Sequence, residues 1–318
     1  MSRWLYYLLV LAVIAPLVDL IWGPQQVTAI FVFSAIGLIP LAGLIGRATE
    51  DLEYHVGPIA GGLLNASFGN APEIIIGFFA IQHGLITVVK ASITGSIISN
   101  SLLVLGSSLA IGGWRWGKQY FSARDAGQYS TMMVLAVAGL LIPSTSSLVV
   151  KDPGHIQSIS IAISIIMLFV YAMYLALHVF HVRSERRPRG EQEKTSDEEL
   201  PEVEAIKVEA KQPPKLWLAI LLLTIATIGT AINSELLVGA IEPITLQFGW
   251  SQVFIGLVII PIVSNATEHS TALVIALKDR VDISMAITAG SSIQVATFVA
   301  PVLVLVSLLF PTRLNLVF

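Results

Sequence analysis

Nine apolar runs, each close to the ~20 residues that a helix needs to cross a bilayer, divide this chain of 318 residues. They lie near 4–22, 27–46, 58–82, 87–112, 126–147, 156–182, 215–240, 251–277 and 283–309. Lipid offers no partner for backbone N–H and C=O groups, so spanning segments are helices or strands of closed barrels, and these runs are too long for barrel strands. The expected fold class is an all-α polytopic membrane protein. Composition agrees: 12% of residues are charged and 55% hydrophobic, with a mean hydropathy of +0.79, where a soluble domain carries about 25% charged residues. The chain has no cysteine, which excludes disulfides, thiolate metal sites and thiol redox chemistry. The first run, preceded by Arg3, also fits a signal peptide, but no clear small-x-small cleavage site follows it.

Charge sets the expected orientation. Numbering the loops alternately, one side collects Arg3, Arg47, Arg115, Lys118, Arg124, the basic residues of 183–215, Lys278 and Arg280, which is 15 of the 18 Lys and Arg. Lys90, Lys151 and Arg313 fall on the other side. The positive-inside rule places the N-terminus in the cytoplasm, in a plasma membrane if the cell is prokaryotic. Residues 183–214, "RSERRPRGEQEKTSDEELPEVEAIKVEAKQPP", turn from basic to acidic and end in Pro213-Pro214, as a solvated linker between two membrane halves would. Glu198, Glu199, Glu202 and Glu204 within it also fit a weak regulatory cation site.

The halves repeat each other. Asn70-Ala71-Pro72-Glu73 falls on Asn265-Ala266-Thr267-Glu268 at an offset of 195 residues. The same offset places Gly61 on Gly256, Ala91 on Ala286, and Gly95-Ser96 on Gly290-Ser291. A second match at fixed distance on the next span marks an internal repeat. The equivalent helices 58–82 and 251–277 are the third and eighth spans, five apart in order, so the two cross in opposite directions. Inverted repeats of this kind build many secondary transporters, with the substrate bound near the midplane between them.

Glu73 and Glu268 fall near the middle of their spans. A charge there costs at least ~2.5–3.5 kcal/mol on insertion scales and normally marks an ion or proton path. A single protonated glutamate can simply hold helices together; two at symmetric positions argue against that. Asn70 lies three residues before Glu73, and Asn265 three before Glu268, so each pair shares a helix face. Pro72 and Pro261 deprive the carbonyls of Phe68 and Leu257 of their helical partners, which offers those oxygens as ligands. On the following spans Ser96, Ser99 and Asn100 share a face, as do Ser291 and Gln294, although serines in spans commonly serve helix packing. Two carboxylates with amide, hydroxyl and backbone oxygens and no sulfur suit Ca²⁺, with Mg²⁺ or Mn²⁺ less favoured.

"GGLLNASFGNAPEIIIGFFAI", "ASITGSIISNSLLVLG" and "VSNATEHSTALVIALKDRVDISMAITAGSSIQVATFVAPVLVLVS" closely resemble the two signature repeats of Ca²⁺/H⁺ antiporters, the CAX branch of the calcium/cation exchanger superfamily. "GRATEDLEYHVGP" and "NSELLVGAIEP" resemble that family too. The resemblance implies eleven helices: a peripheral helix (1–26), a first repeat (27–182), an acidic linker (183–214) and a second repeat (215–318). The second repeat here has three runs against five, and the chain stops at Phe318 where the family pattern continues for two more helices. The resemblance also implies that Glu73 and Glu268 take Ca²⁺ and protons in alternation, assisted by Asn70, Asn265, Ser96, Asn100, Ser291 and Gln294. Two carboxylates in one site of low dielectric cannot both ionise cheaply, so Ca²⁺ and protons should compete there.

Glu50 and Glu235, with Glu242 beyond the latter, are candidate entry-path carboxylates or ordinary interfacial residues; Asp19 reads as interfacial. His269, beside Glu268, fits a proton relay or a packing role equally. The expected partners are the lipid bilayer, Ca²⁺ and H⁺, with no nucleic acid and no cofactor; a homo-oligomer is left open. A Na⁺/Ca²⁺ exchanger would share the fold and both glutamates, and a cation channel could use the same ligands. An enzyme is disfavoured, since no aspartate lies in a span core and no zinc-type His cluster occurs.

Overall fold

A computed structural model describes residues 3–185 and 215–318; the linker expected over 183–214 thus falls almost wholly outside the described residues. Among the described residues the chain is helical and contains no strand. We label the helices α1 (Arg3–Trp22), α2 (Val27–Gly69), α3 (Ala71–Gln82), α4 (Ile86–Trp116), α5 (Ala123–Val149), α6 (Pro153–Glu185), α7 (Leu216–Gly239), α8 (Ile241–Phe248), α9 (Gln252–Ser264), α10 (Ala266–Ala276) and α11 (Val281–Ser307).

Six of these helices are individually long and apolar enough to span a membrane, and α9 with α10, bent by 61°, makes a seventh. The other two expected spans fall on shorter apolar pieces, Tyr7–Trp22 and Ala71–Gln82. The third run, 58–82, is divided differently from the sequence reading. Helical turns continue from Val27 to Gly69, and the interruption comes at Asn70. That long helix does not run straight. Residues eight apart in a straight helix are separated by about 12 Å, yet a Cβ on Gly61 would collide with the Glu53 side chain, so the chain doubles back between them.

The repeat is visible in the backbone. Asn70 leaves helical geometry at φ −101° and ψ 16°, and Asn265 at φ −99° and ψ 9°. The turns that follow α3 and α10 both need a positive φ, 75° at Gly84 and 61° at Asp279, again 195 residues apart. Both next helices widen into π turns at equivalent places, Ser99–Val104 in α4 and Val295–Val299 in α11. α4 and α11 cross where the Ser292 hydroxyl donates to the Ile97 carbonyl at 3.3 Å; these two residues are themselves repeat equivalents, so the pseudo-twofold axis passes between them.

One apolar core joins the halves. It gathers Leu38 from α2, Ile76 from α3, Val88 and Ile93 from α4, Leu237 from α7, Ile260 from α9 and Leu303 from α11. Glycine lets α4 and α9 approach closely. A Cβ on Gly256 would lie 2.7 Å from both Ala91 Cβ and the Val88 carbonyl oxygen, and one on Gly95 would lie 2.7 Å from Pro261 Cγ. Such contact between small residues is how helices associate in lipid. By contrast α5 and α6 have only 17% and 22% of their apolar windows buried, leaving most of their surface for lipid.

The ends are also tied. At one end, Trp116 Nε1 donates to the Leu277 carbonyl at 3.0 Å, and Gln119 Nε2 to Asp279 Oδ1 at 3.3 Å. This brings Arg115 and Lys118 to the same face as Lys278 and Arg280. At the other, Lys90 Nζ donates to Asn315 Oδ1 at 2.6 Å, and Gln157 Nε2 to the Leu314 carbonyl at 3.1 Å.

Candidate cation site

Glu73 opens α3 and Glu268 opens α10, each in the first helical turn after a broken asparagine. In the first repeat the break has a local cause. Pro72 cannot donate an N–H, and a helix tolerates proline best in its first turn. A helix start also favours a carboxylate, because its unpaired N–H groups carry partial positive charge.

The two carbonyls that the prolines deprive of helical partners have close neighbours. The Phe68 oxygen accepts the Asn70 N–H, and the Leu257 oxygen lies against Gly95. The chain absorbs Pro261 by widening into a π turn over Ile255–Ile259 just before it. Both acidic side chains keep an unpaired oxygen: Glu73 Oε2 and Glu268 Oε2 are shielded from solvent with no hydrogen-bond partner among the described residues, as is the neighbouring Thr267 Oγ1. An unpaired carboxylate oxygen in a protein interior is costly, and a cation or a proton would satisfy it.

The remaining candidate residues gather around these two. Asn70 Nδ2 donates to Gln294 Oε1 at 2.8 Å, joining the first repeat to the second. Asn265 Nδ2 donates to Ser96 Oγ at 3.2 Å and to Ser264 Oγ at 3.2 Å. Asn100 Nδ2 donates to Ser291 Oγ at 2.9 Å, and its Oδ1 meets His269 Nε2 at 2.8 Å. That leaves the Ser291 hydroxyl proton for Glu268, which lies within its reach. Since the carbonyl of Asn100 can only accept, His269 carries its proton on Nε2, which also meets Ser99 Oγ at 3.2 Å. The amide of Asn100 is therefore engaged at both ends, holding Ser291 and His269 in place.

Each glutamate faces its own cavity. A cavity of about 420 Å³ is lined by Glu268, Ser264, Thr267, Ser291 and Gln294 at depth, and by Glu50, Thr271 and Ala286 towards the face of Lys278 and Arg280. Glu50 and Thr271 are exposed, so the cavity reaches that surface. Glu73 lines a void of only about 10 Å³ with Ser92, Ile93, Ser96 and Leu303. A void must reach roughly 10–15 Å³ to hold one water, so this one has no room for a hydrated ion.

Glu235 is not brought to either cavity. It is exposed near the end of α7, where the neighbouring Asn233 and Ser234 take the buried face. A helix turns about 100° per residue, so the next position points away from it. Sequence reasoning missed Ser264 and Ser92. The hydroxyl of Ser264 lies within hydrogen-bonding reach of Glu73, its position immediately before Asn265 being the one signal. Among the described residues no three His, Cys, Asp or Glu side chains cluster to hold a metal, so any cation here rests on two carboxylates and neutral oxygens.

Paired membrane repeats, broken helices and two buried carboxylates at the crossing define a polytopic membrane protein of the secondary-transporter class. The chain belongs to the sodium/calcium exchanger protein family, whose profile matches residues 26–180 and 218–318. It is 39% identical over 286 residues to a Ca²⁺/H⁺ antiporter of Aphanothece halophytica, covering 89% of this chain and 76% of that protein. With the Ca²⁺/H⁺ antiporter ChaA of Bacillus subtilis it shares 40% identity over 293 residues, covering 91% and 79%. The crystal structure of the Ca²⁺/H⁺ antiporter YfkE superposes with a TM-score of 0.79 at 36% identity, covering 100% of this chain and 86% of that one. The H⁺/Ca²⁺ exchanger CAX shares the fold, with a TM-score of 0.72 at 17% identity over 98% of this chain and 75% of its own.

Proposed function

We propose that this protein exchanges Ca²⁺ for H⁺ across the membrane by alternating access, with Glu73 and Glu268 as the shared site. The observation that carries the reading is the pair of unpaired carboxylate oxygens between one wide cavity and one closed void. Ca²⁺ takes six to eight oxygens and prefers carboxylates. Two glutamates offer a charge that one Ca²⁺ or two protons can neutralise, and neutral oxygens from Asn265, Ser96, Ser291 and Gln294 lie beside them. Binding of either cation excludes the other. If the repeats exchange conformations about their pseudo-twofold axis, α4 opens as α11 closes, and the glutamates face the opposite compartment. Such a site transports without an enzyme's covalent step and without a bound cofactor.

The positive-inside rule makes the wide cavity cytoplasmic and the N-terminus likewise. The two-repeat division, with a peripheral first helix and an acidic linker, belongs to the same reading. Glu50, at the cavity mouth, is an entry carboxylate for Ca²⁺. His269, tied through Asn100 and Ser291 to Glu268, orients that carboxylate.

The family also carries the sodium/calcium description, so the coupling ion needs a direct test. Purified protein in sealed vesicles, loaded at low pH, should accumulate ⁴⁵Ca²⁺, and a protonophore should abolish the accumulation. Uptake that ignores the protonophore and follows an imposed Na⁺ gradient would establish sodium coupling instead. Movement only down the Ca²⁺ gradient, whatever else is imposed, would establish a channel.

A further inference from the structure

Lys90 lies one turn into α4, on the membrane face opposite Lys278 and Arg280. Among the described residues its ammonium meets no carboxylate. It donates to Asn315 Oδ1 at 2.6 Å and to the Val317 carbonyl at 2.5 Å. Both acceptors belong to the irregular segment 311–318 that follows α11, and this segment is bound over residues 314–318. The Leu314 N–H donates to Ser307 Oγ at 2.9 Å, and the Leu314 carbonyl accepts from Gln157 of α6. The Leu316 N–H donates to Ser160 Oγ of α6 at 3.1 Å, and its carbonyl accepts from Ser144 of α5. The Leu314 and Leu316 side chains are wholly buried. Buried backbone polar groups need partners, and at Leu314 and Leu316 α5, α6 and α11 supply them. The segment is therefore a fixed strap, and Lys90 ties the N-terminal end of α4 to it.

The second repeat lacks this lysine, its own end being held instead by Trp116 to the Leu277 carbonyl and by Gln119 to Asp279. The equivalent of Lys90, at the 195-residue offset, is Met285 on α11, whose side chain offers no ammonium. α4 seals the small void through Ser92, Ile93 and Ser96, whereas α11 borders the wide cavity through Ala286, Ile287, Gly290 and Ser291. We infer that Lys90 is a positioning residue that latches α4 to the 311–318 strap, so that the protein rests with the Lys90 face closed and must break this latch to open it. The inference rests on the alternating-access reading above. It gives the two doors different resting stabilities although the repeats that form them are equivalent.

The native chain has no cysteine, so single reporters are clean. Ser92→Cys reports on the closed void and Ala286→Cys on the open cavity, each labelled with a membrane-impermeant maleimide from its own side of oriented vesicles. In each reporter background, Lys90→Met should raise labelling at Ser92→Cys severalfold and lower it at Ala286→Cys. Lys90→Arg should restore the original ratio, and Asn315→Leu should shift it in the same direction but less, because the Val317 carbonyl remains. General loosening of the fold would raise both signals and overturn the latch, as would an unchanged ratio in folded Lys90→Met protein. The underlying reading is checked separately with Lys90 intact: if Ca²⁺ and low pH fail to move the two reporters reciprocally, alternating access falls and the latch with it.

Discussion

Gly95 and Gly290 are equivalent residues of the two repeats, yet their surroundings are opposite. A Cβ on Gly95 would strike the Leu257 carbonyl and come 2.7 Å from Pro261 Cγ, whereas one on Gly290 would meet nothing within 4 Å. One repeat crossing is closed and its twin is open. On the alternating-access reading, Gly290 takes the place of Gly95 when the protein turns over. Gly290→Val should therefore leave Ca²⁺ binding from the cavity side intact while cutting exchange at least tenfold. Equilibrium ⁴⁵Ca²⁺ binding in detergent, beside flux in vesicles, separates the two effects. Gly95→Val should instead force α4 from α9 in the present state, and its expected signs are a lowered melting temperature and poor membrane yield.

Removing either unpaired carboxylate should stop transport. Glu73→Gln and Glu268→Gln keep the shape of the side chain but discard its charge, and each should reduce Ca²⁺ flux to background in protein that still elutes as a folded species. Asn265→Ala removes only a neutral amide, which bears no net charge, and should lower flux partially. Wild-type flux in either glutamine variant would show that the cation binds elsewhere.

Protons and Ca²⁺ share oxygens in this reading, which fixes the sign of the pH dependence. Protonating a carboxylate removes the charge that holds Ca²⁺, so the apparent dissociation constant should rise as pH falls, and Ca²⁺ binding should expel protons into an unbuffered solution. Calorimetry in two buffers of different ionisation enthalpy measures the protons released. An affinity independent of pH from 5 to 8, with no proton release, would remove the shared site.

Orientation can be tested with the same reagent chemistry. Tyr120→Cys lies on the face of Arg115 and Lys118, and Gly154→Cys on the face of Lys90 and Lys151; both positions are exposed. The charge pattern predicts labelling of the first only from the cytoplasm and of the second only from outside. The reverse pattern would overturn the assigned sidedness and leave the fold untouched.

The repeat was legible in the sequence because its chemistry is expensive. A glutamate in mid-span and an asparagine one turn earlier are costly enough to stand out, and their recurrence with a following Gly-Ser pair fixed the equivalences that the backbone then reproduces at Asn70, Asn265, Gly84 and Asp279. Helix boundaries around residues 47–57 were less legible, since hydropathy records where a chain is polar and not whether it stays helical there. The fate of the proline-freed carbonyls was hidden for a similar reason. Pro261 announces a missing donor, but whether the backbone answers with a gap or with a π turn depends on neighbours far away in sequence. Above all, nothing in two matched motifs reveals which crossing is open, because symmetry of sequence is silent on which of two equivalent states the chain adopts.

The cavity that ends at Glu268 has a pharmacological consequence. At about 420 Å³ it falls within the roughly 300–1,000 Å³ typical of sites for drug-sized molecules, and its counterpart on the other face is too small for one. An organic cation shaped to that cavity would act as a sided blocker of this state: from the Glu50 face it would bind directly, whereas from the other face it would have to wait for turnover to open the opposite cavity, so that membrane permeability, and not potency alone, would govern how fast such a compound worked on an intact cell.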